Sequence, residues 1–586
     1  MPATLTYPGV YIEEIPSGVR TVTGVATSIT AFLGRAPRGP TNEPTTINSF
    51  GDFERQFGGL GLNYPLSYAV RDFYLNGGSQ AIIVRLYVQL TDPGDGKAQL
   101  TVDDLKLVAV SPGDWGNALR LTIDVDVSDE MRTRLGLGEA DALFNLRVQD
   151  RTADGAMENF LNLTVVDSAR RLDRVLKDQS NLLRWDGDWP SKAADLPKLS
   201  KVTAARDKLK TLQDILKESP QDPGKIKAAQ EAYDAARVDL DDAVTQAEKN
   251  LANALPANIA EAQKKLKDAI TAMKTSNGGP LDDKAYEGKP EDKSGIYALD
   301  KADCFNLLCI PSDARALDTS AAVYQTAMSY CAKRRAMLIV DPPFEWGANK
   351  ETAAARAKAG LSSLGLTGVE ARNAALYFPR VIQSDPNLDG QLDTFVPCGI
   401  VAGVMARTDT QRGVWKAPAG LDASINGVSA LQVNLNDAEN GMLNPLGINC
   451  LRFFPVSGRV VWGARTLRGA DQLADEYKYV SVRRLALFIE ESLYRGTQWV
   501  VFEPNDEPLW AQVRLNVGTF MHNLFRQGAF QGQSPRDAYF VKCDKETTTQ
   551  ADINLGIVNI IVGFAPLKPA EFVVIKIQQM AGQIQT

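Results

Sequence analysis

Few residues in this chain are of types and spacings that could do chemistry. His522 is the single histidine, so a His-rich metal site is excluded and any Ser–His or Cys–His pair would hang on one side chain. His522 sits beside Met521 within a helical pattern and reads as a structural or interface residue. Six cysteines (Cys304, Cys309, Cys331, Cys398, Cys450, Cys543) show no CxxC pairing. Half of them fall in apolar strand-like runs, which predicts buried free thiols and a reducing compartment. Asp341 and Asp303 lie near predicted strand ends, where an α/β enzyme would carry catalytic carboxylates. Asp385, Asn387, Asp389 and Gly390 open like a calcium loop, but Val396 stands where a bidentate carboxylate belongs, so a tight Asx/Gly turn is the better account. Gly58-Gly59-Leu60-Gly61 lacks the fingerprint's third glycine and a preceding strand, and is no dinucleotide fingerprint. These residues predict no catalytic centre, no metal and no cofactor.

The elements that would position such residues start with an α/β pattern. At 586 residues the chain is too long for a single core. An extended, proline-flanked segment at 1–20 is followed by a strand at Ile29–Leu33, a helix at Leu66–Leu75 and a strand at Ala81–Tyr87. The pattern resumes at 297. Strands at Phe305–Ile310, Ala336–Val340 and Ala374–Phe378 alternate with helices at Ala321–Arg334 and Glu351–Leu364, which implies parallel pairing with right-handed crossovers.

Between these halves the composition changes twice. Residues 91–196 carry alternating runs such as Leu119–Val127 and Leu143–Val148 and read as a β-rich inserted domain. Residues 197–296 begin rich in Ala, Lys, Asp and Glu, with heptad-like seams on three proline-separated helices. The longest, about 30 residues, would span ~45 Å. This predicts a helical hairpin or three-helix bundle standing off the body, either a docking spike or a solvated insertion.

The C-terminal region centres on Tyr477–Trp510, read as helix, strand, turn and helix. Val482, Leu485, Ile489 and Leu493 share a face, Gly496 is expected as a left-handed cap, and Thr497–Phe502 as a buried strand. Leu509, Val513, Val517, Phe520 and Leu524 mark the second helix. A hairpin turning at Pro455–Gly458 precedes this stretch, and PAEFVVIKI near the end reads as an edge strand. The net charge of −7 argues against nucleic acid, no apolar run approaches a membrane span, and no secretory signal is visible.

These residues resemble a family. YPGVYIEEIPSG, FNLLCIPS, YCAKRRAMLIVDPP, YFPRV, GVWKAPAG, INCLRFFPVSGRVVWGARTL, YVSVRRLALFIEESLYRGTQWVVFEPN and PAEFVVIKI are similar, in order, to the contractile tail sheath proteins of phages, tailocins and extracellular contractile injection systems. The matches fall at roughly 1–90 and 300–586; 91–296 departs from the shared pattern.

The resemblance implies an α/β (α+β) multidomain fold with a mixed-sheet core: exchange arms at 1–20 and 570–586, a middle domain at 21–90 and 297–439, and a tube-facing domain at 440–569. It implies a non-enzymatic subunit of stacked hexameric rings that contract around an inner tube, with baseplate and terminal cap proteins as further partners. Such particles assemble in the bacterial cytoplasm. Tyr7, Val10, Tyr11 and Ile12 would form one inter-subunit arm, and Phe572, Val573, Ile575 and Ile577 the other. Arg514 and Arg526 are candidates for contact with an acidic tube surface. An α/β enzyme and a coiled-coil docking or adhesin protein are the alternative readings.

Overall fold

The computed structural model describes residues 21–90, 95–138, 141–152, 155–218, 222–238, 240–254 and 258–576. The arm residues Tyr7, Val10, Tyr11, Ile12 and Ile577 lie outside them. The core is a mixed eight-stranded sheet in the order Gly458–Val461, Ile448–Phe454, Ala374–Phe378, Met337–Val340, Leu307–Cys309, Thr30–Gly34, Ala81–Arg85, Thr45–Ile47. Its six inner strands are parallel and the two edge strands antiparallel. Runs such as MLIV and AALYF are buried at every position because helices cover both faces. Ala321–Lys333 packs on one face, and Pro65–Leu75 with Cys398–Arg412 on the other.

Residues of the insertion share one core. Two three-stranded sheets, built from strands between Gln99 and Trp185, pack with Val202, Ala205, Leu212, Tyr233 and Val244 of the helices. The helices therefore do not stand clear of the β-rich part. Four helices also replace the expected three: Ser200–Glu218, Pro223–Val238, Ala243–Ala252 and Ile259–Ala272. The long helix is interrupted because Asp242 caps a new one, accepting from Val244 N and Thr245 N at 3.0 Å each. Its other carboxylate oxygen accepts Leu121 N at 2.8 Å, so the break is fastened to the sheet. The chain enters and leaves the insertion side by side, with Gly279 N donating to Val88 O at 2.9 Å. Gly278 has φ +75°, and a Cβ there would lie 2.7 Å from Val88 O. Only glycine fits.

In the C-terminal region Val480–Gly496 and Glu507–Arg526 are helices as expected, with Asp506 capping the second through Leu509 N. Thr497–Phe502 is not a strand. Gln498–Val500 forms a 3-10 turn whose Trp499 and Val500 lean on the core, while Val501 and Phe502 face solvent. Phe502 is fully exposed with φ +70°. A β-branched and aromatic run makes a strand only when a partner strand is in reach, and none lies here among the described residues. Gly496 is the last helical residue rather than a left-handed cap. Its lack of a Cβ instead admits Val22, whose side chain would lie 2.7 Å from one.

Candidate interaction site

The positions where an α/β enzyme would work are closed. The sheet reverses its winding between Thr30–Gly34 and Leu307–Cys309, the switch point at which open α/β sheets hold ligands. Here the crevice is filled by an ion pair between Arg35 and Asp313, with Arg35 over the Tyr64 ring. At the next strand end, one oxygen of Asp341 accepts Cys398 N at 2.8 Å; the other is buried without a partner. Burial pushes this carboxyl up to about 7. The cavity beside it measures about 10 Å³, room for one water and no substrate.

Asp303 lies on an open groove of about 730 Å³ whose arginines are paired within the chain: Arg495 with Asp303 at 2.7 Å and Arg335 with Glu491 at 2.9 Å. The hydrogen bond from Arg495 holds the Asp303 carboxyl below its usual range. His522 is exposed, 3.3 Å from the Tyr539 hydroxyl. All six thiols are free and shifted upward by burial, hence protonated and unreactive. The loop at 385–390 is an Asx turn: Asp385 accepts Asn387 N at 2.9 Å and the Tyr68 hydroxyl at 2.8 Å, and pairs with Arg315. Arg315 in turn lies between the rings of Tyr68 and Phe395 at 4.6 and 4.7 Å. Among the described residues no cluster of His, Cys, Asp or Glu could hold a metal, and no helix is long and apolar enough to cross a membrane.

What the structure does present is backbone and apolar surface at the two chain ends. Residues 22–27 run along Val480–Gly496, with Val25 N donating to Ser492 Oγ at 3.2 Å and Arg484 donating to Thr27 O at 2.8 Å. This track needs the bare face of Gly24, where a Cβ would meet Phe488 at 2.8 Å. At the other end, Phe572, Val573, Val574 and Ile575 belong to no strand and are 73–82% exposed. Four consecutive large apolar side chains in water are unfavourable by about 1.5–3 kcal/mol each relative to burial.

The root of this apolar run is fixed. Glu571 receives Arg465 Nε and Nη2 at 2.7 Å each, Asn444 Nδ2 at 2.8 Å and the Tyr479 hydroxyl at 3.1 Å. Burial alone would raise the Glu571 carboxyl, but these donors outweigh it and hold it below its usual range. A two-stranded antiparallel sheet, Tyr539–Lys542 with Ile561–Phe564, offers open edges among the described residues. Phe540 and Ile561 on it are half exposed.

The candidate tube-contact residues differ. Arg514 is engaged, pairing with Glu507 at 2.5 Å and donating to Cys543 O. Arg526 is exposed in the last turn of its helix, without a partner among the described residues. No local signal in the sequence marked Arg465 or Glu571; their pairing spans 106 positions.

Two family models match this chain: the phage tail sheath protein central domain over residues 288–467 and the phage tail sheath C-terminal domain over 474–580. Those two stretches are tail sheath protein domains. It is 31% identical over 127 residues to the tail sheath protein of Vibrio phage KVP40, covering 22% of this chain and 18% of that protein. It is 25% identical over 156 residues to the tail sheath protein of Enterobacteria phage T4, covering 26% and 22%. These alignments span about a fifth of the length of the curated relatives. The sheath complex of an extracellular contractile injection system, PVC, in its contracted state shares the fold, with a TM-score of 0.51, 20% identity and 99% of both chains covered. The tail sheath proteins this chain matches are structural proteins rather than enzymes. Residues 91–287, nearly all of the insertion, fall outside both matched stretches.

Proposed function

We propose that this chain is the structural subunit of a contractile sheath. It polymerises as stacked hexameric rings around an inner tube and contracts from a metastable extended state to drive that tube through a target envelope. The single observation carrying this reading is the exposed, unpaired run Phe572–Ile575 in a chain that also offers a two-stranded sheet with open edges. An arm from one subunit, or the 1–20 arm from another, extends that sheet in a neighbour. Each backbone bond gained contributes roughly 0.5–1.5 kcal/mol net, so a few per arm keep subunits connected while the bodies move. Contraction then runs downhill as the bodies repack, without nucleotide.

The inner tube, baseplate and terminal cap proteins are the other partners, and the particle assembles in the bacterial cytoplasm. Arg526, rather than the internally paired Arg514, supplies charge toward an acidic tube. The layout follows: arms at 1–20 and 570–586, a middle domain from 21–90 with 297–439, and a tube-facing domain at 440–569. Deleting residues 1–15 or 570–586 leaves a soluble folded body that forms no long sheaths by negative-stain microscopy. Normal-length tubes from both truncations refute the exchange model.

A further inference from the structure

From the geometry around Glu571, and resting on the sheath reading above, we infer that Glu571 is the fixed root of the C-terminal arm. Arg465, Asn444 and Tyr479 are the positioning residues that lock it to the central sheet. The exposed part of the arm starts at Phe572.

Glu571 does not stop at one ion pair. Arg465 has a side chain only 1% exposed, and its third nitrogen, Nη1, donates to Asn444 O at 2.9 Å, Gly469 O at 3.2 Å and Asp471 at 3.0 Å. All three of its nitrogens are thus engaged, which fixes the fork that grips Glu571. The backbone at Arg465 is held as well: its N donates to Asn449 Oδ1 at 2.7 Å, and Asn449 Nδ2 donates to Arg465 O at 2.8 Å and Leu376 O at 3.0 Å. Asn449 and Leu376 belong to the adjacent parallel strands Ile448–Phe454 and Ala374–Phe378. A run of hydrogen bonds therefore leads from Glu571 through Arg465 to the second and third strands of the main sheet. Tyr479, the residue before helix Val480–Gly496, closes the other side. The position of the lock explains the contrast between an ordered carboxylate at 571 and four exposed apolar residues directly after it.

A root held in this way delivers a neighbour's pull to the sheet instead of peeling 565–570 from the surface. The test uses the full chain and a Glu-specific protease, reading release of peptide 572–586 by mass spectrometry, with sheath length from microscopy in parallel. Asn444→Ala/Tyr479→Phe removes two donors while leaving Arg465 and its backbone partners. It should speed cleavage after Glu571 about tenfold or more, with the thermal melting of the body unchanged. Glu571→Ala should fold yet give short or broken sheaths, and Glu571→Gln should lie between it and wild type. Cleavage after Glu571 as fast in wild type as in the double variant overturns the inference, and so do Glu571→Ala sheaths of wild-type length. If the wild-type chain forms no sheath, the sheath reading fails, and the cleavage comparison still decides whether Glu571 is locked.

Discussion

Arg484 grips Asp409 with both terminal nitrogens, at 2.8 and 2.5 Å, across the junction of helices Val480–Gly496 and Cys398–Arg412. Each side chain is 3% exposed. Burial, outweighing Arg484, raises the Asp409 carboxyl above its usual range, and a buried ion pair of this kind is often no net gain over apolar contact. Breaking it is another matter, since one buried charge is left without its partner. Arg484→Met should cost about 3–5 kcal/mol in urea unfolding, and Asp409→Leu/Arg484→Met should recover most of that. A single-variant loss below ~1 kcal/mol would show that water or another group takes over the charge.

Asp341 predicts a pH slope. Its folded value, about 7, lies above the ordinary carboxyl value of 3.8. The stability linked to this group is therefore fully present below pH ~4 and is lost as pH rises toward 7. Asp341→Asn keeps an acceptor for Cys398 N and removes the ionisation. Relative to wild type it should be more stable at pH 8 than at pH 5, measured by denaturant titration. Parallel wild-type and variant pH profiles would contradict the assignment.

Two helical glycines should respond in opposite directions to alanine. A Cβ on Gly399 would lie 2.0 Å from Ala69 O and one on Gly403 2.5 Å from Phe73 O, so helices Cys398–Arg412 and Pro65–Leu75 cross backbone to backbone. Gly399→Ala should cost about 3 kcal/mol or more, because backbone cannot yield as a side chain does. Gly518 has nothing within 4 Å of such a Cβ. Gly518→Ala should add about 0.8 kcal/mol, the ordinary helix preference. Thermal melts of the two variants check both signs at once.

Phe502 carries strain in plain view. A bulky residue at φ +70° costs roughly 1–2 kcal/mol, and a fully exposed ring returns none of it. Phe502→Asn should raise the stability of the body by about 1 kcal/mol in equilibrium unfolding. A loss instead would mean that the ring packs in solution.

The same residue shows why parts of the fold escape a sequence reading. The strands Met337–Val340 and Ala374–Phe378 are legible because complete burial on both faces leaves an unbroken apolar run. Thr497–Phe502 is rich in β-branched and aromatic residues too, but a strand also needs a partner, and none is in reach among the described residues. Heptad spacing runs through Leu240 without a gap, so the interruption there is set by Asp242 and its bond to Leu121, 121 positions away. The lock at Glu571 depends on Arg465, Asn444 and Tyr479 in the same way. Periodicity reports which face is buried; it does not report which distant charge will meet which.

The side-by-side crossing at Val88 and Gly279 has one more consequence. Because the two ends of the insertion stand a hydrogen bond apart, everything between them can be exchanged as a cassette without changing the distance the main sheet must span. A turn of a few residues joining 88 to 279 should leave the eight-stranded sheet intact. Inserts of quite different size and shape could occupy the same socket on one common eight-stranded core, letting this part diversify while the sheet stays fixed.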